Sequence, residues 1–543
     1  MQEQQQPQQR NPINPVIKKI KAYLGYQGFS IFKDTLTVEE QHALRKELTV
    51  GAYIPKSPIQ PTPFPIYRES PLKLYVPRYF GLEKWAGIQV ESKISPGHAI
   101  SLKFMGDLRD YQQVIVEKYL KAARNSGIGG AAIGGGGLLD VDPGKGKTVM
   151  ALKIIECLAT KTLVVVHKSF LSNQWKERIE QFLPGARVGI IQGQLIDTDN
   201  KDIVIAMVQS LSMKEYPQST FESFGLTIFD ECHHMGAEVF SRCMMKVTTT
   251  YTLGLSGTMQ RKDGLSKVFK MFLGDVVHKE KAESDHCVLV KGINYVVDDD
   301  EFNEVEYDYR GNPKFSTMIS KLCNYNRRSE FIVEVVLKEL QHNADQQIMI
   351  LAHNKSLLQY LFKAIEHRKI ATVGYYLGGM KESDLKASES KKIIIATYAM
   401  ASEGLDIKTL TTLIMATPKT DVCQSVGRIL RVKHTTPIVI DIVDAHDLFK
   451  NQWQKRKSYY KKQNYRIIVT DSGLYHSNET NGCWTTAYNP KKIKGAGAVV
   501  AIATGTAGDD EDDSDDDDEE ETGALTKYNS NRKQPILNGK CFL

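Results

Sequence analysis

The sequence predicts an α/β protein with two tandem parallel sheets, each covered by helices on both faces, behind an amino-terminal accessory region. Three observations predict it. Short apolar runs alternate with helical patterns from about residue 105 to 280, which is how strands buried on both faces read. The same alternation restarts near residue 287. A glycine-bearing turn, "DVDPGKGKT" at 140–148, joins the end of one apolar strand to the start of a long helical pattern.

Residues 1–12 are rich in Gln and Pro and are expected to form a disordered leader. An accessory domain is expected over 13–95, where "YIPKSPIQPTPFPIYRESP" (53–71) carries too much proline for a helix and favours an extended path. The glycine run from 127 to 137 reads as a flexible bridge. The first α/β domain is expected over 96–285, with strands in "TLVVVHK" (162–168), "DIVIAMV" (202–208), "LTIFDE" (226–231) and "TLGLSGT" (252–258). Its helices are expected in "TVMALKIIECLA" (148–159) and "SNQWKERIEQFL" (172–183). The second domain is expected over 286–470, with strands in "QIMILAHN" (347–354), "KIIIATY" (392–398), "TLIMAT" (412–417) and "PIVIDIVD" (437–444). Beyond it, 471–543 is expected to be a mostly disordered tail with an acidic block.

Composition narrows the function classes. At 543 residues, 41% hydrophobic and 25% charged, the chain has enough apolar content for several cores. No run approaches the ~18 apolar residues of a membrane span. The start lacks the order of a secretory signal, so an intracellular setting is expected, and for a viral protein the virion or the host cytoplasm. The eight cysteines are scattered without a C-x-x-C pair, which argues for reduced thiols and against zinc or a disulfide frame. Net charge is +6, but "DDEDDSDDDDEEE" (509–521) alone carries twelve acids, leaving about +18 elsewhere. A body that basic points to a polyanion such as nucleic acid.

The chemistry starts at 140–148. A strand, a tight turn and a helix aim backbone N–H groups and the positive helix end at a polyphosphate. Gly144, Lys145 and Gly146 form the cradle, the two glycines standing where a side chain would block close approach. Lys147 reaches toward β- and γ-phosphates, and Thr148 presents its hydroxyl to Mg²⁺. Val141 stands where the strict phosphate-loop pattern asks for glycine. Downstream, "LTIFDECHH" (226–234) delivers two adjacent carboxylates to the rim of the sheet. Asp230 is the candidate Mg²⁺ holder and Glu231 the candidate base for the attacking water.

"GKGKT", "DECH" and "SGT" in this order resemble the motor of superfamily 2 helicases. The resemblance covers about residues 105–465 and implies two RecA-like domains that hydrolyse ATP, with Mg²⁺, in the cleft between them. "LRDYQ" (108–112) resembles the family's adenine-reading segment, with Gln112 on the base and Arg109 supporting it. "VVVHKSFLSNQW" (164–175) and "MVQSL" (207–211) resemble its nucleic-acid backbone contacts, which implies that role for Lys168, Ser169 and Ser210. "IIIATYAMASEGLDI" (393–407) implies Thr397 on the polymer and Gly404 and Asp406 coupled to the nucleotide. "QSVGRILR" (424–431) matches Q-x-x-G-R-x-x-R, which implies that Gln424, Arg428 and Arg431 face ATP from the second domain, Arg431 as the finger.

Narrower resemblances follow. "RKD" (261–263) is similar to the R-E-D triplet of the XPB-like branch, implying a nucleic-acid role for Arg261 and Asp263; Lys262 replaces the glutamate and puts strand separation by the triplet in doubt. The segment "FSIFKDTLTVEEQHALRKELTV" (29–50) with "FPIYRESPLKLYVPRYFG" (64–81) resembles the amino-terminal region of helicases of large double-stranded DNA viruses, among them the poxvirus transcript-release type. This implies a viral source, DNA as preferred partner with RNA open, and work beside a transcription machinery or in repair. The basic, tyrosine-bearing segment 449–467 reads either as a nucleic-acid contact or as a helix packed by its aromatics. The acidic block reads as a solvated tail or as a nucleic-acid mimic. Nothing beyond 470 offers the spaced carboxylates and lysine of a nuclease.

Overall fold

The computed structural model describes residues 20–53, 60–88, 90–124, 134–142, 144–232, 237–257, 263–279, 287–403, 407–430, 436–476 and 484–490. The expected leader and the acidic block lie outside them.

Two eight-stranded sheets carry the fold. Across the first, the order is Leu195–Asp197, Val188–Gln192, Ile203–Met207, Thr162–Val166, Leu226–Phe229, Tyr251–Ser256, Gly136–Asp140, Val276–Lys279. All neighbours pair in parallel except the edge strand Leu195–Asp197, which folds back on Val188–Gln192. The second sheet runs Val373–Tyr376, Ile393–Thr397, Gln347–Ala352, Leu410–Met415, Ile438–Asp444, Leu289–Tyr295, Arg466–Asp471, Thr485–Tyr488. It too is parallel apart from its last edge strand. These are two tandem RecA-like domains.

The strands alternate between two cores, as a pleat of period two requires. Leu163 and Val165 enter one core with Phe229 and Phe240, while Val164 and Val166 enter the other with Trp175 and Ile155. In the second domain Ile348 and Ile350 face one core, Met349 and Leu351 the opposite one. Helices close both faces: in the first domain Lys147–Leu158 and Ser169–Phe182 cover the core of Val164 and Val166, and Ser266–Leu273 packs into that of Leu163 and Val165.

One strand bolts helices onto both faces of the second sheet. Asp441 accepts from Arg456 Nε and Nη2 at 2.7 and 2.8 Å, and Asp444 accepts from Arg328 Nε and Nη2 at 2.5 and 2.8 Å. Arg456 lies on helix Asp447–Lys462 and Arg328 on helix Asn326–His342. Both arginines are fully buried, where only a paired charge is tolerated.

The accessory region is a five-stranded sheet, ordered Arg68–Glu69, Lys73–Val76, Gly28–Phe32, Ala22–Gly25, Glu91–Ser92. Its core residues Phe29, Leu74 and Phe80 belong to the same apolar cluster as Phe269 and Phe272 of the first domain. Arg78 is buried at the junction, donating from Nη1 to the carbonyls of Thr249 and Thr250 at 2.9 and 3.0 Å and from Nη2 to that of Gly134 at 2.9 Å.

Three sequence expectations change. Gly136 and Gly137 are not bridge but the start of the strand that feeds the phosphate loop. The second sheet runs past 470, through Arg466–Asp471 and Thr485–Tyr488. Of the two readings of 449–467, packing holds for its aromatics: Trp453, Tyr460 and Tyr465 are buried, because their rings fill the core under helix Asp447–Lys462.

Candidate active site

In a parallel sheet the loops at the carboxyl ends of the strands share one rim. The order of strands therefore fixes the order of functional groups along that rim. From one end it runs Gly193, Ser210, Lys168, Asp230 with Glu231, then Ser256 and the phosphate loop.

At the nucleotide end, Gly144 and Gly146 adopt φ of 86° and 81°, a region open to glycine at little cost. A Cβ on Gly146 would lie 2.4 Å from Gln112 Nε2. Helix Lys147–Leu158 opens directly after it, so its free N–H groups and the half-buried Thr148 face the loop. Lys147 is 9% exposed, and its ammonium lies 3.3 Å from both the Val141 carbonyl and Glu231 Oε1. That reach crosses the intervening strand Tyr251–Ser256, and the Val141 N–H is bonded to the Ser256 carbonyl at 2.9 Å.

Asp230 is buried, and burial first, then the charge of Glu231, pushes its carboxyl up to about 6. The indole N–H of Trp175 donates to Asp230 Oδ2 at 2.8 Å and opposes that rise. Glu231 has φ of 46°, a left-handed conformation that costs a non-glycine residue free energy and is found where a side chain must be aimed. Trp175 was legible only as part of a polymer-contact segment. Its hydrogen bond to the carboxylate was missed, although a buried indole N–H usually finds an acceptor.

The residues expected to read adenine are tied to the 140–148 loop. Gln112 Nε2 and the Tyr111 hydroxyl both donate to the Lys145 carbonyl, at 2.9 and 3.0 Å, and Gln112 Oε1 accepts from the Arg109 N–H at 3.0 Å.

Among the expected polymer contacts, Lys168 is the N-cap of helix Ser169–Phe182 and Ser169 its exposed first residue. Burial lowers the pKa of the Lys168 ammonium. Ser210 Oγ accepts from the Gly193 N–H at 2.9 Å. In the second domain Thr397 ends strand Ile393–Thr397, at the corresponding rim. Asp263 Oδ1 accepts from the Leu265 N–H at 3.2 Å, and its carbonyl accepts from the Tyr53 N–H at 3.1 Å. The rest of the triplet, Arg261 included, lies outside the described residues.

In the second domain, Cys423 and Tyr465 lie within electrostatic reach of Asp142. Burial pushes the Cys423 thiol up, the Tyr459 hydroxyl opposes this, and the Asp142 carboxylate adds to the rise. Arg428 is buried, with Nε donating to the Ala401 carbonyl at 2.6 Å. Gln424 sits on helix Cys423–Val426; Gly404, Asp406 and Arg431 lie outside the described residues. Among the described residues no His, Cys, Asp or Glu cluster forms a multi-ligand metal site, and the six described cysteines are free thiols.

Two tandem RecA-like sheets, the first carrying the glycine turn and the paired carboxylates at its rim, are the architecture of a nucleotide-driven motor. Residues 105–261 match the family described as "Type III restriction enzyme, res subunit", and 331–433 match the "Helicase conserved C-terminal domain". The chain belongs to the ATP-dependent helicases of superfamily 2. It is 36% identical to "Putative ATP-dependent RNA helicase L396" of Acanthamoeba polyphaga mimivirus, covering 81% of this chain and 85% of that protein. It is 29% identical to "Putative helicase 161L" of Invertebrate iridescent virus 6, over 68% and 85% of the two chains. A third relative, "Probable helicase D10" of Escherichia phage T5, is 25% identical over 61% and 73%.

Proposed function

We propose that this helicase is a DNA-directed motor, moving on duplex DNA in viral transcription, at elongation or transcript release, or in repair. The observation that carries its chemistry is the convergence of Lys147, Glu231 and the buried Asp230 on one rim facing the second domain. Lys147 holds the β- and γ-phosphates over the Gly144–Gly146 cradle, while Gln112 and Arg109 hold the adenine. Glu231 takes a proton from water as its oxygen bonds to the γ-phosphorus and the β–γ bridging oxygen leaves with ADP.

The donor set suits Mg²⁺: one buried carboxylate, Asp230, and one hydroxyl, Thr148, with the glycine cradle leaving room for phosphate oxygens. When bound, the ion neutralises charge on those oxygens. Arg431 approaches the γ-phosphate on closure, with Gln424, Gly404 and Asp406 sensing the nucleotide. Arg428, anchored on the Ala401 carbonyl, joins that cleft to the segment after Thr397. Lys168, Ser169, Ser210 and Thr397 grip the polymer, so closure and reopening become movement along it. We assign Arg261 and Asp263 of the triplet to contacts with the same polymer.

The rival reading is an RNA helicase, favoured by the name of the mimivirus relative. ATPase assays of the full chain with duplex DNA, single-stranded DNA, RNA or no polymer separate the two. Stimulation by DNA is expected; stimulation by RNA alone overturns the DNA reading.

A further inference from the structure

Helix Ser169–Phe182 of the first domain meets helix Glu382–Glu389 of the second. Asn173 Nδ2 donates to Glu382 Oε2 at 2.8 Å, and Lys386 Nζ donates to Glu177 Oε1 at 2.9 Å. Asn173 and Glu177 are one turn apart on their helix, as are Glu382 and Lys386 on theirs, so the bonds form two parallel rungs. Each rung joins a donor to a carboxylate, and the direction reverses between them. Lys386 also lies 3.8 Å from Glu382.

The location gives the rungs meaning. One helix begins at Lys168 and Ser169, on the rim shared with Ser210. The other follows strand Val373–Tyr376, which pairs with the strand ending at Thr397. An amide N–H₂ and an ammonium are the groups that bind backbone phosphate. In this structure each is occupied by a carboxylate instead. The Lys386, Glu177 and Glu382 side chains are 60%, 57% and 53% exposed, so these pairs are weak and exchange readily.

We propose that Glu177 and Glu382 are internal stand-ins for polymer phosphates. An arriving strand takes over Asn173 Nδ2 and Lys386 Nζ, releases the two carboxylates and frees the domains to move. The clasp is thus an autoinhibitory contact and its donors are further polymer-binding groups. This rests on the nucleic-acid reading above.

The test uses the full chain and fluorescence anisotropy with labelled duplex DNA, single-stranded DNA and RNA at two salt concentrations. Glu177→Gln and Glu382→Gln are expected to bind about two- to fivefold more tightly. Lys386→Ala is expected to bind more weakly, with a log–log salt slope smaller by about 1. A mere strut predicts the same sign for both partners of a rung, so weakening by Glu177→Gln overturns the proposal, as does no change in any variant. Glu180→Gln, on the same helix, controls for the general field; equal tightening there also overturns it. Melting curves check that the variants fold. A wild type that binds none of the probes fails the functional reading and the clasp together; a wild type that binds, without tightening in the carboxylate variants, fails the clasp alone.

Discussion

Trp175 and Asp230, 55 positions apart in sequence, are joined by a 2.8 Å hydrogen bond from the indole N–H to the carboxylate. The bond ties the helix that starts at Ser169, on the part of the rim proposed to meet the polymer, to the carboxylate proposed to hold Mg²⁺. Trp175→Phe keeps the ring and deletes the donor. With that opposing contribution gone, the Asp230 carboxyl is expected to be pushed up further in the free protein. The Mg²⁺ concentration for half-maximal ATPase is therefore expected to rise several-fold and the acid limb of the rate profile to move to higher pH. Titrating Mg²⁺ at several pH values checks both; unchanged curves would leave the bond with only a packing role.

Lys147 and Glu231 are expected to be separable by binding. Lys147→Ala should lose both nucleotide affinity and turnover. Glu231→Gln should lose turnover by roughly 10²–10⁴-fold while still binding ATP. Steady-state hydrolysis beside equilibrium nucleotide binding reads the difference, and normal turnover in either variant removes the assignment.

Gly146→Ala meets two obstacles, the positive φ of 81° and the Gln112 amide 2.4 Å from the new Cβ. The expected outcome is loss of ATP binding with the second domain intact, seen as an unaltered far-ultraviolet spectrum with no nucleotide-induced rise in melting temperature.

Asp202 accepts from the Arg187 N–H, Nε and Nη2 at 2.8, 3.0 and 2.7 Å, and these bonds lower its pKa. The depressed value means the pair stabilises fully above the ordinary carboxylate pKa of ~3.9 and loses this as pH falls through the folded value. Asp202→Asn should lower the melting temperature at neutral pH by roughly 2–4 °C, and the gap to wild type should close below about pH 4. A constant gap across that range contradicts the account.

Asp441→Asn leaves Arg456 buried without its counter-charge, which is expected to cost about 3–5 kcal/mol. Adding Arg456→Met should restore part of the loss, measurable by denaturant unfolding. A double variant no better than the single one would place the cost elsewhere.

Strands made of β-branched runs, such as "TLVVV" and "KIIIAT", were readable because nothing interrupts them. Leu289–Tyr295 was not, since "LVKGINY" places a lysine and a glycine mid-strand. The structure supplies both reasons: Lys291 pairs with Glu339 at 2.7 Å, and Gly292 lies where a Cβ would be 2.9 Å from the Trp453 ring. The acids of "PIVIDIVD" gave no warning of their partners, because Arg328 and Arg456 come from helices on opposite faces. That Lys147, Asp230, Glu231 and Gln112 would come together was legible, because the expected chemistry asks for fixed residue types beside a glycine turn or a strand end. Trp175 was not, since its partner follows a strand 55 positions further along the chain.

The Arg78 anchor turns the accessory sheet into a handle. It grips the carbonyls of Thr249, Thr250 and Gly134, and Gly134 lies just ahead of the strand that feeds the phosphate loop. A fluorophore at the exposed Tyr26 position therefore reports on the ATP-binding domain without touching its chemistry. Paired with a second dye beyond residue 287, it gives a ruler for the stroke, and Arg78→Ala should blur that ruler by letting the handle slip.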